Sequence, residues 1–298
     1  MKMNDILGSV HPINSFIFFV AAIGCTMIFI HPIMLAVSLV CGLIYATMLK
    51  GIKSLLITLV YMIPMFIFVA MINPLFNHRG VTILFYLNNG NAITLESIIY
   101  GIASSTMLMA AVTWFSCLNC VISSDKIIYL FGKVIPATSL MLCMVFRFVP
   151  KFKAQVKVIV AAQKCIGNYI SQGNVIQRLK CGITILSILI TWALENSIQT
   201  ADSMKSRGYG LSGRTSFSNY RFCKRDAYLL TAQFTAIVII AIGGITKQTS
   251  FKYFPAVSGS ILSPARVMLY FVYALFLLLP VILMIVEEVK WRYTVSKI

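Results

Sequence analysis

Six runs of predominantly apolar residues, each near the roughly 20 residues a helix needs to cross the hydrocarbon core of a bilayer, decide what this chain can fold into. They fall at about 14–30, 33–49, 54–72, 96–118, 228–246 and 266–286 of the 298 residues. A soluble domain carries about a quarter charged residues; here 59% of residues are hydrophobic and 11% charged. The alternation of an outer-membrane barrel is missing. The expected fold is an all-α polytopic membrane protein with about six transmembrane helices and, between spans four and five, long cytoplasmic helices.

Local signals set the boundaries. His11-Pro12 starts the first span, His31-Pro32 turns tightly into the second, and Pro64 predicts a kink in the third. Residues 73–95, with Asn73-Pro74, His78-Arg79-Gly80 and Asn88-Asn89-Gly90-Asn91, read as a loop, and Thr94 with Glu96 as the start of the fourth span. The first apolar run lacks an Ala-x-Ala exit, so no cleavable signal is expected. No internal repeat is visible.

Charge placement orients the spans. The net charge is +17, and 15 of the 25 Lys and Arg lie between Ser123 and Arg225, opposed only by Asp125, Glu195 and Asp202. Such a block belongs on the cytoplasmic side, facing anionic headgroups or an acidic partner. Lys50 and Lys53 in the short second loop, and Lys290-Trp291-Arg292-Tyr293 near the end, put the N- and C-termini on that side too. Nothing matches a nucleic-acid module, so no nucleic-acid partner is expected. Three regions follow: transmembrane helices over 1–122, a cytoplasmic region over 123–225, and transmembrane helices with a tail over 226–298.

Within the basic region, Ser123-Ser124-Asp125 caps a short amphipathic segment that suits the membrane interface. Two long helical patterns follow, on either side of Gln172-Gly173-Asn174. In the first, Lys153, Lys157 and Lys164 share a face. The second, from Val175 to Arg207, carries an apolar stripe at 179, 183, 186, 190, 193 or 194, 198, 201 and 204. Its most apolar part, Cys181–Leu194, is short for a span and suits a helix packed into others or skimming the membrane. At about 1.5 Å per residue each helix is about 45 Å long. The second ends in Lys205, Arg207, Gly208 and Gly210, a cluster of C-terminal signals. There the carbonyl end of the helix favours a cation, and the planar guanidinium of Arg207 suits a partner's carboxylate. On spacing alone, an ordinary solvated helix end fits this stretch at least as well.

The residues of this region resemble those of the transmembrane T component of energy-coupling factor (ECF) transporters, importers of vitamins and metals. Ser206-Arg207-Gly208 followed by Gly213-Arg214-Thr215 is similar to the family's second coupling motif. Arg147-Phe148-Val149-Pro150 resembles an Arg-Phe-aliphatic-Pro signature, Ala162-Gln163 the start of the first coupling motif, and Val10-His11-Pro12-Ile13-Asn14 the step before the first span. Where the family has Ala-Arg-Gly, this chain has Cys165-Ile166-Gly167. Docking there is either apolar or carried by Lys164. The resemblance implies two cytoplasmic ABC-type ATPases as partners, held through the long helices. It also implies a small membrane-embedded substrate-binding (S) component held through hydrophobic surfaces. Arg207 would enter an acidic groove on one ATPase, with Ala201, Met204 and Ser206 packed around it and Gly208 ending the helix. Gln163, Cys165, Ile166 and Gly167 would meet the other. Arg147, Pro150, Gly213 and Arg214 would support these ends, Arg214 serving either the turn or the partner. The implied location is a prokaryotic cell membrane.

The chain offers little chemistry of its own. The spans hold almost no ionisable side chain of the kind a self-driven carrier uses. No Walker-type loop is found, so any ATP is expected on partner subunits, and no cofactor or metal is expected. No catalytic set rises above noise, so an enzyme is not expected. The eight cysteines show no disulfide framework, and Cys117-x-x-Cys120 reads as buried, inert thiols. The alternatives are a self-sufficient carrier or channel, which would transport in liposomes without ATPases, and a lipid-binding membrane anchor.

Overall fold

The computed structural model describes residues 10–86, 92–132, 136–168, 174–209, 211, 220, 222–246, 248–257 and 263–295, with backbone only at 54–55 and 136–139. Among these residues the helices are α1 (Pro12–Ile28), α2 (Pro32–Lys50), α3 (Ile52–Phe76), α4 (Leu95–Val121), α5 (Ser124–Gly132), α6 (Pro136–Cys165), α7 (Val175–Ser206), α8 (Lys224–Ile245) and α9 (Pro264–Val295). The chain forms two compact units: residues 1–123 with 220–298, and residues 124–219. Each expected span has its helix. By length and composition α2, α3, α4, α8 and α9 suffice to cross a membrane, and α1 is a shorter apolar helix. Helix α7 also meets that measure, although its wholly apolar stretch looks short.

The first unit is a six-helix bundle around Trp114 of α4. Its indole is fully buried against Phe18 and Phe19 of α1 and stacks on Tyr45 of α2, at centroid distances of 5.8, 6.4 and 6.2 Å. A small polar network closes the centre. Trp114 Nε1 donates to Ser38 Oγ at 3.1 Å, and Ser38 shares a 2.7 Å hydrogen bond with Thr26, which also meets Tyr273 OH at 3.3 Å. Four helices thereby satisfy one another's polar groups where lipid offers no partner. Gly101 lets α4 approach α3 closely, since a Cβ there would lie 2.6 Å from the Ala70 carbonyl oxygen.

Contacts within this unit define two ends. At one, His11 caps α1 and its N–H donates to Asp226 Oδ1 (3.5 Å), while Asn14 Nδ2 donates to the Asp226 carbonyl oxygen (2.8 Å). Lys50 at the close of α2 bonds Ser116 near the close of α4, and Arg225 pairs with Glu287 of α9 at 3.0 Å. The start of α8 therefore lies at the same end as the finish of α4. At the other end, Tyr253 OH donates to the Ile30 carbonyl oxygen (3.0 Å), and buried His31 meets Tyr270 OH at 3.0 Å. Burial, with Arg266 second, holds the His31 imidazole below its ordinary pKa.

Residues 73–95 depart from the loop expected there. Helix α3 continues through Pro74 to Phe76, and β1 (Ile83–Tyr86) pairs antiparallel with β2 (Ala92–Thr94). Ile83 opposes Thr94, and the register shifts before Phe85 meets Ile93. Thr94 caps α4, accepting from Ser97 N–H as its type suggested. The tail Lys290–Tyr293 continues α9. Cys117 is buried but Cys120 is exposed, so the expected pair of buried thiols is split; neither forms a disulfide.

In the second unit α6 and α7 form an antiparallel pair. Cys181 Sγ approaches the Asn168 carbonyl oxygen at 3.8 Å, and Lys151 Nζ donates to Asn196 Oδ1 at 2.6 Å. Phe148 stacks on Phe152, which meets Trp192 edge-on at 5.7 Å. The apolar stripe read along α7 does not make this contact: Leu179, Ile183, Leu186, Ile190, Leu194 and Ile198 are all exposed. Polar and aromatic side chains at positions between them join the helices.

Trp114→Ala is expected to destabilise the bundle by about 3–5 kcal/mol, the range for emptying an aromatic site. Trp114→Phe, which removes mainly the hydrogen bond to Ser38, is expected to cost about 1 kcal/mol. Thermal unfolding in mild detergent checks the order: Ala well below Phe, and Phe just below wild type.

Candidate functional site

The two ends singled out in the sequence share one backbone form. At the end of α6, Asn168 N–H donates to Gln163 O (3.0 Å), Gly167 N–H donates to Lys164 O (3.1 Å), and Gly167 has φ +86°. At the end of α7, Tyr209 N–H donates to Met204 O (3.1 Å), Gly208 N–H to Lys205 O (3.0 Å), and Gly208 has φ +73°. Both are glycine-terminated C-caps of the Schellman type. Their hydrogen bonds set Gln163 against Met204, Cys165 against Ser206, and Ile166 against Arg207. Each glycine occupies the left-handed region that side chains disfavour.

The equivalence gives the Ile166 substitution a location. Ile166 holds the place that Arg207 holds on the other helix, and both are exposed. One cap thus carries a guanidinium and the other a bare aliphatic group, 73% exposed. Gln163 is buried and its Oε1 accepts from Asn168 Nδ2 at 2.9 Å, which braces the α6 cap from inside. At the α7 cap Ser206 Oγ donates to Ser203 O (2.9 Å), so its hydroxyl is turned back onto the helix.

Because α6 and α7 run antiparallel, the two caps lie at opposite ends of the pair. The α6 cap sits beside Cys181, near the start of α7. That start is itself capped: Asn174 accepts from Val175 N–H at 3.0 Å, and Gln177 accepts from Asn174 N–H at 3.2 Å. Beside the α7 cap the helices part around a cleft of about 370 Å³, lined by Met144 and Phe148 from α6, Ser197, Ala201 and Met204 from α7, and Tyr209 beyond it. Arg147 and Pro150 are exposed on α6, flanking Phe148, which faces the cleft. Gly213 and Arg214 lie outside the described residues.

Sequence reasoning quoted Phe148 only within a signature and gave no role to Lys151, Phe152, Trp192, Asn196 and Tyr209, which with it hold the two helices together or line their cleft. The signal was present in Phe148 and Phe152, four apart on one helix face. Among the described residues no cluster of His, Cys, Asp or Glu is placed to hold a metal ion.

Comparison with known proteins agrees with this geometry. A family profile, CbiQ, described as cobalt transport protein, matches residues 8–217, more than two thirds of the chain. The energy-coupling factor transporter transmembrane protein EcfT of Streptococcus thermophilus is 32% identical over 158 residues, 53% of this chain and 57% of the relative. EcfT of Bacillus selenitireducens is 33% identical over 93 residues, 31% of this chain and 35% of its own length. EcfT of Thermosediminibacter oceani is 25% identical over 219 residues, 72% of this chain and 80% of the relative. The chain thus spans little more than half, or less, of the first two relatives, and most of the third. Together, six apolar helices, a long antiparallel pair with twin caps and a match running through both caps identify this chain as a member of the CbiQ family, an EcfT-like T component of an energy-coupling factor transporter.

Proposed function

We propose that the chain is the coupling subunit of an ECF-type importer, transmitting motion from two cytoplasmic ATPases to a membrane-embedded S component that carries a vitamin or metal. The observation that carries this reading is the pair of matching caps at opposite ends of the α6–α7 pair, about 40 Å apart along α7 from Cys181 to Arg207 at about 1.5 Å per residue. Two like ends that far apart suit two like partners, one at each. The chain itself performs no catalysis, and ATP is bound and hydrolysed on the ATPases.

Parity supports the membrane placement. The chain leaves the bundle after α4 and returns at α8 on the same end. Residues 124–219 must then cross the bilayer an even number of times. Helix α6 is too polar to cross, with Arg147, Lys151, Lys153, Lys157 and Lys164 along it, so α7 does not cross alone. The second unit stays on the side of that end. Lys50, Lys53, Lys224, Arg225, Lys290 and Arg292 lie toward that end, which supports reading it as the cytoplasmic side. The exposed apolar faces of α3 and α7 are the surfaces offered to the S component and to lipid.

At the α7 cap, Arg207 enters an acidic groove of one ATPase, with Ala201, Met204 and Ser206 around it; at the α6 cap, Ile166 makes an apolar contact with the other. ATP-driven closure of the ATPases tilts the helices and tips the S component, releasing its cargo inside.

Arg207→Glu is expected to abolish co-purification with the ATPases while membrane insertion stays normal; ATPases recovered at the wild-type ratio refute the assignment. In transport assays with the full complex, Arg207→Ala is expected to lose about tenfold or more, as desolvated arginine anchors do, and Ile166→Ala clearly less; equal losses contradict unequal caps. With the other seven of the eight cysteines replaced, exposed Cys165 should react with a membrane-impermeant maleimide in inside-out vesicles and stay unlabelled in right-side-out ones. The reverse pattern would invert the topology.

A further inference from the structure

The hairpin between α3 and α4 buries almost nothing of its first strand. Ile83, Leu84, Phe85 and Tyr86 are all exposed, by 49, 52, 54 and 66%. Successive strand residues point to opposite faces, so both faces of β1 are apolar and uncovered. A two-stranded hairpin is marginal in water, and one bare on both faces has no hydrophobic reason to form there.

Its position is nevertheless rigidly set. Leu95 N–H donates to Thr82 O (3.0 Å), Thr82 N–H to Glu96 Oε1 (3.3 Å), and His78 Nδ1 to Ala92 O (3.1 Å). Ser97 Oγ donates to Asn77 O. These bonds pin the hairpin to the last turn of α3 and the first turn of α4. Both helices are long and apolar enough to span, so the hairpin sits where they leave the hydrocarbon. Helix α3, which leads into the hairpin, ends in two further exposed apolar side chains, Leu75 and Phe76, the latter 81% exposed. Arg79, also exposed, lies in the chain between Phe76 and Ile83. Aromatic side chains and a snorkelling cation are what such a boundary favours.

We propose that the β1–β2 hairpin is an interfacial anchor. It lies among the headgroups and upper acyl chains of the leaflet opposite the basic end, with Phe85 and Tyr86 in lipid and Arg79 on phosphate. It fixes the depth of the α3–α4 pair against tilting. The inference rests on α3 and α4 as spans and is independent of the coupling role, since it holds for the chain without partners.

The test uses the full chain alone in nanodiscs of phosphatidylcholine and phosphatidylglycerol. Trp192 and Trp291 are replaced by Phe, leaving the core Trp114 as a constant background. Phe85→Trp and, separately, Tyr86→Trp then report on the two faces of β1. The expected added emission is blue-shifted, shielded from aqueous iodide, and quenched more by lipids brominated near the headgroup end of the acyl chain than near the chain terminus. Such quenching at either position supports the anchor. Water-like emission at both positions, open to iodide and untouched by brominated lipid, overturns it. Shielding that arises only when ATPase and S subunits are added also overturns it, because the surface would then be a protein interface.

Discussion

The grip of Asp226 on the start of α1 decides more of this protein than any other contact. Its carboxylate is buried, accepting from the N–H groups of His11 and Cys223, while its own carbonyl accepts from Asn14. A buried acceptor at a helix start is stabilised by the donors and by the dipole. More than two hundred residues separate the partners in sequence, yet this contact brings the late helices back beside the first. Once α8 begins where α1 begins, alternation fixes the sense of every span.

Much of the bundle was legible because lipid imposes a strict rule on sequence: a helix that crosses must be apolar for its full length. Pro12 and Pro32 marked starts, and Thr94 did cap α4. What failed was local reading where that rule lapses. Residues 73–95 hold Asn, Gly and Pro, and looked like loop, yet Ile83–Tyr86 form a strand because a register with Ala92–Thr94 exists. Pairing partners six to eleven residues away leave no periodic mark in a run of four.

The second unit shows the opposite difficulty. The stripe along α7 was plain and suited a helix packed into others or skimming the membrane; the helices join through Trp192, Asn196 and Lys151, and the stripe from Leu179 to Ile198 faces outward. An apolar face says that something covers it, without saying what. The two motif ends could be found by resemblance, but their equivalence needed backbone geometry: Cys165-Ile166-Gly167 and Ser206-Arg207-Gly208 share little except glycine. The positive φ values of Gly167 and Gly208 and the matching hydrogen bonds reveal one design used twice.

The cleft at one end of the long pair makes the two caps mechanically unlike. The α6 cap lies at the closed end, braced by Gln163 and near Cys181. Beyond Asn196, the last turns of α7 face open space bordered by Met144 and Met204, side chains that rearrange easily. A sideways load on the arginine end therefore meets a compliant spring, whereas the same load on the isoleucine end meets a stiff one. Under the proposed coupling role, force delivered equally to both would be stored and returned unequally.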